Sequence, residues 1–154
     1  MKKHPSSLTE PRTIKDLLSY RVHKLAGALS RGAASRYKRE FGVSLVEWRT
    51  IALLGDFSPL SLKQLAALAA LDKSLVSRTI SALADRNLVQ RDISPADGRE
   101  VELRLSPEGI TLHAGLMRAA AERDAAFHGA LSAEERAVLD SLLVKLEAEA
   151  WRQT

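Results

Sequence analysis

The stretch "SLKQLAALAALDKSLVSRTISALADRNLV", residues 61–89, decides how the chain folds. Ser61 followed three residues later by Gln64 is a capping box, in which hydroxyl and amide satisfy each other's orphan backbone N–H groups, and it predicts a two-turn helix over 62–69. Only Ala70-Leu71 separates that helix from Asp72, which can cap a second helix of about fourteen residues, 73–86. Two helices joined by so short a link can cross steeply, which is a helix-turn-helix arrangement.

On the second helix Leu75, Val76, Thr79, Ile80 and Leu83 form an apolar stripe, and Lys73, Ser74, Ser77, Arg78 and Ser81 fall on the other faces. That polar set is short and cationic, suited to the major groove of duplex DNA. Arg78 can give two parallel donors to guanine or a phosphate, and the small serines let backbone approach the groove. An ordinary amphipathic helix with a wet side is the plainer alternative, and the pattern alone does not exclude it.

The next segment bears on that choice. Residues 88–93 and 100–105 read as strands around the loop Ser94 to Arg99, the second strand alternating polar and apolar residues. A hairpin directly after a recognition helix is in the position of a wing. Arg99 at its tip suits the concentrated negative potential of a narrow minor groove, Asp97 can accept from the guanidinium and hold it extended, and Gly98 tolerates positive φ.

Outward from this core the chain reads as helical. Ile14, Leu17, Leu18, Val22, Leu25, Leu29, Ala33 and Tyr37 recur at three- and four-residue steps, predicting one long helix over 14–40 that stops at Phe41-Gly42. Ser44 with Glu47 and Ser132 with Glu135 repeat the capping box, and Ser106-Pro107-Glu108 supplies another start, predicting helices over 45–56, 133–151 and 107–129. The expected fold is mainly α with one β-hairpin. Residues 1–12 read as a flexible arm and 13–154 as one domain, with a lobe at about 44–105 between helices at about 14–40 and 107–152.

The 154 residues carry a net charge of +4, and ten of the 23 Lys and Arg lie in residues 1–40 against three of the 19 Asp and Glu. A polyanionic partner is compatible with this bias, as is a solvated basic face. With no cysteine, thiolate chemistry and disulfides are excluded. His113 and His128 have no metal-ligand partner in the sequence pattern, and no phosphate-binding glycine loop, nucleophile elbow or His-Glu-x-x-His occurs, so no enzyme, metal or cofactor is expected. No apolar run suits a signal peptide or a membrane span, which predicts a cytoplasmic protein without a membrane partner.

Two motifs together resemble the MarR-type winged-helix transcription regulators: "LDKSLVSRTISALADRNLVQR" at 71–91, with Asn87 where many members have glycine, and "DISPADGREVELRLSPEG" at 92–109, with its Asp-x-Arg wing tip and Ser-capped helix. The resemblance implies that Ser74, Ser77 and Arg78 meet the major groove, where Lys73 and Ser81 on the same polar side are DNA-binding candidates too, and that Arg99, oriented by Asp97, reaches the minor groove. It implies a homodimer built by the first and last helices on a pseudo-palindromic operator, repression being the expected outcome. The chain's own pattern agrees: Ile14, Leu17 and Leu18 at one end, and Val138, Leu139, Leu142, Leu143, Leu146, Ala150 and Trp151 at the other, make apolar stripes, although both could pack on the chain's own core.

The family resemblance further implies release by a small aromatic or phenolic carboxylate. The candidates to bind it are Tyr20, Arg21 and His23 on the first helix with Trp48 and Arg49 on the second, while Trp48 as core and Arg49 in an ion pair is the plainer reading. The alternatives to a specific regulator are an architectural DNA binder and a winged helix used for protein interaction.

Overall fold

The structure, a computed structural model, describes residues 13–93 and 101–153. The expected tip pair, Asp97 and Arg99, and the N-terminal arm lie outside the described residues. By compactness the chain divides into Met1–Trp48 and Arg49–Thr154.

In the first unit the expected long helix has a separate beginning. Thr13 and Asp16 form a capping box that starts a 3-10 turn over Ile14–Asp16, and Leu17 is extended (φ −69°, ψ 131°), so α1 runs Leu18–Phe41. This Thr-x-x-Asp cap thus intercepts what periodicity alone reads as continuous helix. The helix ends as its glycine predicts: Gly42 is left-handed (φ 68°), its N–H donates to the Lys38 carbonyl at 3.1 Å, and the Val43 N–H reaches the Tyr37 carbonyl at 3.4 Å. Ser44 and Glu47 then exchange both bonds of the expected box and open α2, Leu45–Phe57.

The second unit continues with β1 (Leu60–Ser61), α3 (Leu62–Ala69), α4 (Lys73–Asp85), β2 (Val89–Ile93), β3 (Val101–Leu105), α5 (Pro107–His128) and α6 (Ala133–Arg152). The hairpin is not alone, as the sequence suggested, because β1 adds a third antiparallel strand in the order β1-β3-β2. Leu60 pairs with Leu103 and Ser61 with Glu102, while Val89 to Ile93 pair with Leu105 to Val101. Two residues carry no period-2 signal, so β1 is invisible to pattern reading. Its consequence is mechanical, for Ser61 is a strand residue and the N-cap of α3 at once, and the hairpin's central strand is therefore registered to the start of the helix-turn-helix.

Ile51, Leu54, Leu65, Val76, Leu83 and Leu116 are fully buried and form the core of this unit. Ser106 is equally buried and every part of it is used: its hydroxyl donates to the Asn87 carbonyl (2.6 Å) and accepts from the Gly109 N–H (2.9 Å), and its own N–H donates to the Leu88 carbonyl (3.1 Å). Asn87, at φ 56°, takes the left-handed conformation that asparagine tolerates better than most side chains, so it can replace glycine here without changing the course of the chain. The close approach extends to Gly109, where a Cβ would lie 2.0 Å from the Leu88 carbonyl oxygen. We therefore expect Gly109→Ala to destabilise the fold by about 2 kcal/mol or more, as overpacking against unyielding backbone does, read as a lower urea midpoint by circular dichroism. An unchanged midpoint would mean that α5 can move off the α4–β2 turn at no cost.

Candidate nucleic-acid interface

The helix-turn-helix is closed by backbone geometry at Ala70, a left-handed residue (φ 51°, ψ 45°) whose N–H donates back to the carbonyls of Ala66 and Ala67. Asp72 then caps α4: its carboxylate accepts from the backbone N–H groups of Ser74 (2.8 Å) and Leu75 (3.3 Å) and from the Ser74 hydroxyl. At about 100° per residue, Lys73, Ser74, Ser77, Arg78 and Ser81 fall within roughly 140° of one another around the helix. All five are exposed, while Val76, Thr79, Ile80 and Leu83 are buried on the complementary arc and Leu75 is half-buried. The division between apolar and polar faces is the one the sequence predicts.

Within the exposed set the hydroxyls are not equivalent. Ser74 is engaged by its own cap, and Ser77 makes no side-chain bond among those described. The Ser81 hydroxyl donates to the Ser77 carbonyl (3.1 Å) and accepts from Nη2 of Arg91 on β2 (2.8 Å). Arg91 is the residue that sequence reading passed over, since an arginine on an exposed strand position has no distinguishing pattern. With Leu62, Ser77, Ile80, Val101 and Leu103 it lines a cleft of about 190 Å³ between α4 and the sheet.

In the first unit Tyr20 is half-buried, Arg21 and His23 are exposed, and Trp48 is half-buried with its ring 5.0 Å from that of the buried Tyr37, tilted by 49°. In the second unit Arg49 is exposed. Trp48 thus packs against Tyr37 within its unit. His113 abuts Gly55, where a Cβ would lie 2.3 Å from its Nε2, and His128 lies 3.3 Å from the Asp124 carboxylate. No group of residues suited to a metal ion occurs among the described residues, and no helix there is long and apolar enough to cross a membrane.

A winged helix-turn-helix with a polar, cationic recognition face belongs to a class of DNA-binding proteins, and known sequences narrow the class. The profile of the MarR family matches residues 43–101. A protein of Thauera aromatica assigned to regulation of the hcr operon is 33% identical over 105 residues, 68% of this chain and 63% of that protein, so the chain spans just under two thirds of that relative. A MarR/EmrR family transcriptional regulator from Acinetobacter sp. ADP1 superposes with a TM-score of 0.80 at 26% identity, over 87% of this chain and 94% of that one. The Staphylococcus aureus MepR–DNA complex shares the fold, with a TM-score of 0.79 at 19% identity over 87% and 98% of the two chains. Residues 43–101 thus match the MarR family, and the chain is similar along most of its length to transcription regulators of that family.

The cap of α4 makes a pH prediction. Three hydrogen bonds, that of the Ser74 hydroxyl first and those of the Ser74 and Leu75 amides after it, hold the Asp72 carboxyl below the ordinary aspartate range, and the charge of Arg78 adds to them. Because the folded pKa is depressed, the cap's contribution is complete above the unfolded aspartate pKa and is lost only as pH falls through the lower folded one. In an NMR titration the Ser74 and Leu75 amide shifts should therefore hold steady across mildly acidic pH and move together below the usual aspartate midpoint. Movement at or above that midpoint would contradict the cap geometry.

Proposed function

We propose that the protein is a sequence-specific regulator that binds double-stranded DNA as a homodimer on a pseudo-palindromic operator. The observation that carries the proposal is the exposed arc of α4, where Lys73, Ser74, Ser77 and Arg78 share the first turns of a helix whose opposite face is buried. In this reading Arg78 donates to a guanine or phosphate, Lys73 neutralises backbone, and the serines admit the helix to the major groove. Asp97 and Arg99 serve the wing tip in the minor groove.

The dimer is supported by α6, which buries none of its residues within the chain. Leu139, Leu142, Leu143, Leu146 and Trp151 keep between 39% and 72% of their surface exposed, an apolar face that a terminal helix does not leave in water. Ile14, Leu17 and Leu18 are similarly open and complete the proposed interface from the other end of the chain. Two copies related by a twofold axis set their recognition helices about one DNA turn, roughly 34 Å, apart. Repression, relieved by a small aromatic or phenolic carboxylate, completes the proposal; the chemistry that favours such an effector is the combination of guanidinium groups at Arg21 and Arg49 with the rings of Tyr20, His23 and Trp48.

The test is fluorescence anisotropy with the DNA upstream of the protein's own gene and with a duplex selected by the protein from a randomised pool, each compared with scrambled DNA at two salt concentrations. A preference of about 10³-fold or more for the selected duplex is expected. Arg78→Ala and Arg99→Ala should each weaken that binding by about 1 to 3 kcal/mol while dimer and fold persist. Equal affinity for every duplex, with a steep salt slope, would point to an architectural binder, and no binding at all to a protein-interaction module.

A further inference from the structure

The geometry points to Arg91 as a positioning residue that acts through Ser81 to fix the direction in which α4 presents Ser77 and Arg78. This inference rests on the reading of α4 as the recognition helix and adds to it a residue outside that helix.

α4 is joined to β2 by the short turn Arg86-Asn87-Leu88, and a short connection holds the end of a helix better than its rotation about its own axis. The contact that resists rotation lies further up the helix. Arg91 occupies the middle of β2, opposite Leu103 on the central strand, and lines the same cleft as Ile80 and Leu103, so its aliphatic stem lies along apolar surface while its guanidinium reaches the helix. There Nη2 donates to the Ser81 hydroxyl at 2.8 Å, and that hydroxyl donates in turn to the Ser77 carbonyl at 3.1 Å. The chain of bonds therefore ends on the backbone of the turn that carries Ser77 and Arg78.

In this arrangement Ser81 is a strut, its hydroxyl occupied by the protein. Losing the strut leaves the buried face of α4 in place, because Val76, Ile80 and Leu83 are held by the core. What it loosens is the fine azimuth of the helix relative to the sheet, the small rotation that packing of the buried face tolerates. Base contacts depend on that angle, whereas contacts to the uniform phosphate backbone tolerate its change. The strut thus contributes to discrimination between sequences more than to binding as such.

The experiment is a double-mutant cycle on the full-length protein, with anisotropy on the selected and scrambled duplexes across a salt series. Ser81→Ala and Arg91→Met should each lower affinity for the selected duplex by about three- to tenfold. The double variant should lose no more than the larger single loss, because both substitutions remove the same contact. Affinity for the scrambled duplex and the salt slope should be unchanged. Losses that multiply in the double variant would overturn the inference, as would a slope shallower by about one for Arg91→Met, the signature of a phosphate contact. Should Arg91→Met lose its fold by circular dichroism, Arg91→Gln takes its place in the cycle, and wild-type binding of Ser81→Ala to both duplexes refutes the strut. Arg78→Ala separates the two levels. If it too binds as wild type, the interface reading falls and the strut with it; if it weakens binding while Ser81→Ala does not, the strut alone falls.

Discussion

The buried hydroxyl of Ser106 is the constraint on which the winged helix-turn-helix depends. It has no solvent contact, it caps α5 through the Gly109 N–H, and it donates to the Asn87 carbonyl nineteen residues back along the chain. Together with the bond from its own N–H to the Leu88 carbonyl, this pins the end of β3 to the turn where α4 becomes β2. An isolated two-stranded hairpin is marginal in water, so a wing that is to keep a fixed direction needs its base clamped. Ser106 clamps it on one side, and pairing of β1 with β3 clamps it on the other. The left-handed Asn87 and the absent Cβ at Gly109 are both consequences of how closely the two segments must approach.

From that base the recognition surface follows by short steps. β3 is the middle strand, so both its neighbours are registered to the helix-turn-helix: β1 through Ser61, which caps α3, and β2 through Arg91, which reaches Ser81 on α4. The cap at Asp72 fixes where α4 begins, and the buried arc sets which side it turns to the core, leaving the finer azimuth to the proposed Ser81–Arg91 strut. None of these bonds is strong alone, and an exposed hydrogen bond of this kind contributes about 1 kcal/mol or less. Their effect comes from acting on one rigid helix at its start, its middle and its end.

Much of this was legible in the sequence because the signals were local. Ser61 with Gln64, Ser44 with Glu47, Ser132 with Glu135 and Ser106 with Pro107 each occupy the helix start expected of them, and the alternation from Glu100 to Leu105 gave β3. The separation of α4 into buried and polar faces was equally readable, since a 3.6-residue period is a property of the segment itself. The rest depends on residues distant in sequence. β1 is two residues long and exists only because Leu103 and Glu102 offer it an edge. The break at Leu17 required weighing a Thr13–Asp16 cap against an apolar periodicity that runs straight through it. The Ser81–Arg91 bond spans ten residues and two element types, and nothing in either residue's neighbourhood marks it.

The central claim is that the first turn of α4 faces the bases of the major groove. Because the chain contains no cysteine, Lys73→Cys creates a single thiol at that turn, to which a chemical nuclease can be tethered for cleavage of the end-labelled selected duplex. The account predicts cuts confined to two positions about one helical turn apart, with the strand offset that a major-groove reagent leaves. Diffuse cleavage along the duplex, or cuts with a minor-groove offset, would contradict it.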